Sequence, residues 1–137
     1  MIKVLESNSL NDSFIDITPT NTLNLLICSF GNEKSTINAE RDESQTGRVM
    51  YIGENANVTL QNLILTGGYL TNDNGAGLYI LNNNANVKIE NSEITGNVID
   101  NGYGAGLHVG HNPVAKSLNL TIENSKISNN TIKHDSA

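Results

Sequence analysis

The stretch from residue 56 to residue 109 repeats itself at a fixed spacing of 29 residues, and that repetition constrains the fold more than anything else in the chain. Ala56-Asn57-Val58 returns as Ala85-Asn86-Val87, Asn62 as Asn91, Thr66-Gly67 as Thr95-Gly96, and Gly75-Ala76-Gly77-Leu78 as Gly104-Ala105-Gly106-Leu107. Aligned without gaps, 11 of the 25 positions from 56 to 80 are identical to those from 85 to 109. A period of this length marks a solenoid, in which one unit has too little apolar surface for a core of its own and buries its face by stacking on the next.

The pattern inside each unit identifies the stacked element. Val58 and Leu60, then Leu63 and Leu65, then Ala76, Leu78 and Ile80 alternate with Thr59, Gln61 and Thr66. In the next unit Val87, Ile89, Ser92, Ile94, Ala105, Leu107 and Val109 alternate with Lys88, Glu90, Glu93 and Thr95. Alternation at period two, in short runs bounded by Asn and Gly, predicts strands with the first set inside and the second outside, and it excludes the three-to-four spacing of a helix. Three short strands per coil follow.

Outside the two clear coils, 56–80 and 85–109, the pattern is looser. Residues 1–22 hold candidate strands at 2–5 and 14–17 and read as an incomplete coil or N-terminal cap. Residues 23–52 read as a fuller coil, with strands at 23–27, near 36–39 and at 49–52, and a charged insert at 40–46 read as a solvated loop. From 118 to 132 the repeat resumes, because residues 119–127 match 86–94 at an offset of 33. The expectation is a single domain, 1–137, of about four coils, the last incomplete. An unpaired final strand around 118–127 predicts self-association through the open ends.

Asparagine is over-used, at 23 residues. Asn62, Asn91 and Asn124 each fall between two strands with no room for a loop, so one residue must turn the chain, and Asn enters the left-handed region more readily than any residue but Gly. Stacked coil on coil, their amides would form a hydrogen-bonded ladder; the alternative is that Asn is simply common here. The ladder reading ranks Asn91→Ala as more damaging than Asn97→Ala.

On these features the chain resembles the right-handed parallel β-helix, and within it the repeats of polymorphic outer-membrane proteins and adhesin-like surface proteins of bacteria and methanogens. Those repeats pair a Gly-Gly-Ala-aliphatic strand with a Phe-x-x-Asn turn. Here Gly75-Ala76-Gly77-Leu78 and Gly104-Ala105-Gly106-Leu107 stand for the first. The spans from Ile94 to Asn97 and from Ile127 to Asn130 stand for the second, with Ile in place of Phe. The first clear coil has Gly68 where the others have Asn. The resemblance covers about 23–132 and implies an all-β solenoid on a cell surface or secreted.

The same fold houses polysaccharide lyases and hydrolases, which need converging carboxylates or a calcium cluster with a basic residue. Asp73 and Asp100 fall two positions apart in the repeat; Arg41, Asp42 and Glu43 are consecutive and cannot all converge; His108 and His111 have no obvious third ligand. Threonine columns are broken by Glu93 and Lys126. No catalytic residue, metal or cofactor is therefore expected. A net charge of −6, with no Lys/Arg cluster, argues against nucleic acid. No stretch approaches the ~18 apolar residues of a membrane helix, residues 1–10 lack a signal-peptide core, and a secretion signal would lie outside this chain. Cys28, in an apolar run, reads as a buried filler.

One feature survives. Tyr51, Tyr79 and His108 fall at equivalent outward positions and should stack as a column, with Gly77 and Gly106 keeping the face flat. Such a column either binds sugar rings or covers the sheet and stabilises itself. The expected function is a non-catalytic, adhesin-like binding or structural module that contacts a polysaccharide or cell-surface ligand. The rivals are a pectate-lyase-like enzyme with its catalytic coils elsewhere, and a plain spacer.

Overall fold

Strands recur in the computed structural model at the repeat distance. The structure describes residues 2–4, 8–9, 14–21, 23–110, 114 and 117–134. The first strands are β1 (Ile2–Val4), β2 (Asn8–Ser9) and β3 (Ile15–Ile17), followed by β4 (Leu23–Ser29), β5 (Ser35–Asn38) and β6 (Met50–Ile52). The first clear coil contributes β7 (Ala56–Gln61), β8 (Leu63–Thr66), β9 (Tyr69–Thr71) and β10 (Leu78–Leu81). The second contributes β11 (Ala85–Glu90), β12 (Glu93–Thr95), β13 (Val98–Asp100) and β14 (Leu107–Gly110). The last holds β15 (Leu118–Glu123), β16 (Lys126–Ser128) and β17 (Thr131–Ile132).

Each strand pairs in parallel with its equivalents above and below. Val87 sits on Val58, Ile89 on Leu60, Ile94 on Leu65 and Leu107 on Leu78, so the 29-residue repeat is the stacking register itself. Three sheets run through the stack, in the orders β1-β4-β7-β11-β15, β16-β12-β8-β5-β2 and β14-β10-β6-β3. The chain is an all-β parallel solenoid of about four coils with three strands per coil. A smaller sheet, β17-β13-β9, adds a fourth short strand to the later coils. These strands escape the alternation test because only Leu70 and Ile99 in the middle of each point inward, onto Ala76 and Ala105.

The inward positions form one apolar column. Leu63, Leu78, Ile80 and Val87 are fully buried, and Val58, Leu60, Leu65, Ile89 and Ile94 nearly so. Each such Leu or Ile contributes on the order of 1.5–3 kcal/mol by leaving water. Towards the last coil this burial fades: Leu107 is half-buried, and Val109, Ile122, Ile127 and Ile132 are exposed although they continue the inward columns. Cys28 departs from expectation. It alternates with buried Ile27 and Ser29 and lies half-buried on the outer face of β4.

The turn asparagines adopt the expected backbone, with φ of 58° at Asn62, 47° at Asn91 and 48° at Asn124. The Asn91 amide donates to Asn62 Oδ1 at 2.6 Å, on the exposed surface. Other stacked pairs do the same: Asn84 donates to Asn55 and Asn101 to Asn72 at turns, and Asn57 to Asn24 between β7 and β4.

A different asparagine lies inside. Asn97 is fully buried; its Oδ1 accepts the Gly68 N–H at 2.9 Å, and its Nδ2 donates to the carbonyls of Leu65 and Thr95 and to Asn130 Oδ1 at 3.0–3.2 Å. Its amide thus serves backbone groups at two stacked bends, Leu65 O and Gly68 N–H between β8 and β9 and Thr95 O between β12 and β13. This explains the Gly-Ala-Gly-Leu motif. Gly75 and Gly104 need a left-handed backbone, with φ of 72° and 64°, while a Cβ on Gly77 would fall 2.7 Å from Asn97 Nδ2 and 2.4 Å from the Gly106 carbonyl. Gly77 and Gly106 thus make room for the buried asparagines of the turn rather than flattening the outer face.

The insert at 40–46 is exposed in its middle but tied down at both ends. Arg41 N–H donates to Gly67 O, and Gly47 and Tyr69 form an antiparallel bridge. Glu43 reaches Lys133 at 3.0 Å, and Lys133 also meets the Tyr69 hydroxyl at 3.0 Å and its ring.

Candidate functional site

The parallel register brings Tyr51, Tyr79 and His108 together as the sequence implies, on β6, β10 and β14. Their neighbours Met50, Ile52, Leu78 and Ile80 are buried, so the pleat turns these three rings outward. Tyr51 and Tyr79 lie 5.3 Å apart between ring centroids and only 18° from parallel; Tyr79 and His108 lie 5.2 Å apart at 40°. Near-parallel rings at that distance are offset-stacked, so each covers part of its neighbour's face. The column therefore offers solvent mainly ring edges. At its far end the Tyr79 hydroxyl rests on the Gly110 backbone, where a Cβ would collide with it.

A cation lies along this column. The Arg48 guanidinium carbon is 5.3 Å from the Tyr79 centroid, 5.8 Å from Tyr51 and 5.7 Å from Phe14. Its Nη2 donates to Asp73 Oδ2 at 3.0 Å and to the Asn74 carbonyl at 3.1 Å. The Arg48 side chain is 15% exposed against 51% for Asp73, and Arg48 Nε is buried without an acceptor. Burial, reinforced by Arg48 and opposed by Asp73, holds His108 below its ordinary 6.5, so the imidazole is neutral at pH 7. Burial likewise raises the Tyr51 hydroxyl, helped by Tyr79 and Asp16 and opposed by Arg48.

Beside the column opens a cleft of about 510 Å³, lined by Phe14, Asp16, Arg41, Thr46, Gly47, Arg48, Leu70 and Asp73. Arg41 and Arg48 are the only arginines in the sequence, and both line it. Gly47 permits this, because a Cβ there would stand 2.8 Å from Arg41 Nε. Sequence reasoning set Arg41 aside and passed over Arg48 and Phe14, since none of them recurs at the repeat distance. The one available signal was that both arginines of the chain lie seven residues apart, Arg41 in the insert and Arg48 just past it.

The other candidates diverge. Asp73 is taken by Arg48 and Asp100 by His134, at 2.6 Å. Asp42 accepts the N–H groups of Ser44 and Gln45 within its own loop, and Glu43 pairs with Lys133. Among the described residues no three His, Cys, Asp or Glu side chains gather where a metal ion could be held. His111 lies outside the described residues. No helix among those residues is long and apolar enough to cross a membrane.

No family model matches this chain, and no curated protein and no solved structure matches it either.

Proposed function

We propose that this chain is a non-catalytic glycan-binding module of an adhesin-like protein, secreted or on a cell surface, in which the solenoid presents the Tyr51–Tyr79–His108 column and the adjoining cleft to a polysaccharide. The adhesin reading leans on the Gly-Ala-Gly-Leu and Ile-x-x-Asn motifs. The observation that carries binding is the cleft. It places an exposed aromatic wall at Phe14 and a shielded guanidinium at Arg48, itself against Tyr79, around one opening, a mixture suited to an amphipathic ring with hydroxyl groups. Two carboxylates line it, but Asp16 accepts from the Thr18 hydroxyl and Asp73 is held by Arg48, so each already has a partner, which favours binding over cleavage.

With few contacts and an exposed cleft, affinity should be weak, about 0.1–10 mM. The test is a panel of polysaccharides read by chemical-shift perturbation on the wild type and on Tyr79→Ala. The reading requires shifts that cluster at Tyr51, Tyr79, His108 and the cleft, and that shrink in the variant. If no glycan moves those signals, the column is a packing device and the chain a scaffold.

A further inference from the structure

We infer that the cleft selects a carboxylate-bearing sugar, with Arg48 as the group that reads the acid and Asp73 as an internal stand-in for it. This rests on the glycan-binding reading above and names the ligand class of the same site.

The argument begins with what Arg48 lacks. A guanidinium carries five N–H donors in a planar fork that matches a carboxylate. Nη2 is engaged by Asp73 Oδ2 and the Asn74 carbonyl, whereas Nε is buried without an acceptor. A shielded donor left unpaired is costly, and an acceptor entering from the cleft would relieve it. The rings of Tyr51, Tyr79 and Phe14 lie 5.3–5.8 Å from the guanidinium carbon, so it is oriented before any ligand arrives.

The partner that Arg48 already has shows which chemistry fits. Asp73 presents a carboxylate oxygen at 3.0 Å from a side chain that is half exposed and belongs to a solvent-facing turn, so an external carboxylate can replace it at little structural cost. The replaced Asp73 passes into water. Arg41 and Asp16 line the same cleft, so an external carboxylate that takes the place of Asp73 leaves the charge balance of the lining unchanged. The net charge of −6 is spread along the solenoid and screened within about 8 Å at physiological salt, so it does not exclude an acidic sugar from a cleft holding both arginines. Phe14, which is exposed, offers the apolar wall against which the sugar's C–H face can lie. A neutral sugar would use that wall but leave Arg48 on Asp73.

The experiment compares one ring in two charge states: an oligoglucuronate tetramer and its methyl ester, titrated into the isotope-labelled chain. The acid should bind about tenfold more tightly than the ester at low salt, with that gap narrowing as salt is raised. Arg48→Gln should bring the acid down to the level of the ester. Asp73→Asn, which removes the internal competitor and leaves the arginine in place, should strengthen acid binding severalfold and leave ester binding unchanged; this variant decides the matter even if Arg48→Gln fails to fold. Equal affinity for acid and ester, or weaker acid binding in Asp73→Asn, would overturn the carboxylate assignment while leaving glycan binding intact. Absence of binding by either sugar would overturn both.

Discussion

Asparagine columns occupy two corners of the same coil, and they do opposite work. The column of Asn62, Asn91 and Asn124 turns the chain with a left-handed backbone, but the bond between the Asn91 and Asn62 amides lies on the surface, where water competes for it. The column of Asn97 and Asn130 is sheltered, and the Asn97 amide bonds directly to three backbone groups of two stacked bends: Gly68 N–H, Leu65 O and Thr95 O. Recurrence alone does not separate the two. What separates them is whether the amide meets another side chain on the surface or bonds to buried backbone groups, and that ranks Asn97 above Asn91, the reverse of the ladder expectation.

The largest effect that can break this comparison is Asn97→Ala, which leaves several buried groups unsatisfied and opens a void; a loss of about 3–5 kcal/mol is expected in denaturant unfolding. Next comes Gly77→Ala, whose Cβ would press on both the Asn97 amide and the Gly106 carbonyl; about 1–3 kcal/mol is expected from overpacking. Asn91→Ala follows at about 1–2 kcal/mol, most of it the cost of placing Ala in the left-handed region. A loss at Asn91 as large as that at Asn97 would restore the exposed ladder as the main support.

The smallest effect is that of the Glu43–Lys133–Tyr69 tie, which fastens the insert to the last coil. Lys133 hydrogen-bonds to Glu43 and holds that carboxyl below its ordinary 4.5, while Tyr69 and Glu43 raise Lys133 above its ordinary 10.5. A lowered acid contributes above its unfolded pKa and loses that contribution as pH falls through the folded one; a raised base contributes below its unfolded pKa and loses it as pH climbs through the folded one. The tie is therefore complete between about pH 4.5 and 10.5. The stability difference between wild type and Glu43→Gln should be steady across that window and shrink below it in pH-dependent unfolding. A difference that does not shrink as pH falls below 4.5 would contradict the ion pair.

The legible parts of the molecule are those the repeat writes twice. Val58 over Val87 and Leu65 over Ile94 were readable because a period of two within a period of 29 admits one register. The Tyr51, Tyr79 and His108 column was readable for the same reason, although sequence could not show that the rings face one another rather than solvent. β9 and β13 were missed because a strand of three residues has one inward side chain and no alternation to detect. The cleft was missed because Phe14, the arginines Arg41 and Arg48, and Asp73 come from three successive segments of the chain, and none recurs at the repeat distance. In a solenoid, repetition marks what holds the stack together, and a binding site is built from departures.

The claim that Asn97 substitutes for backbone is tested most directly by amide hydrogen exchange at Gly68, whose N–H donates to the Asn97 side chain. In the wild type this amide should exchange as slowly as those of Val58 and Leu60 in the neighbouring strand. In Asn97→Ala its protection should fall well beyond the general loss seen at Val58 and Leu60, while in Asn91→Ala it should only follow them. If Gly68 keeps pace with Val58 and Leu60 in Asn97→Ala, the buried amide is not the partner that holds the bend, and the account of this fold is wrong at its centre.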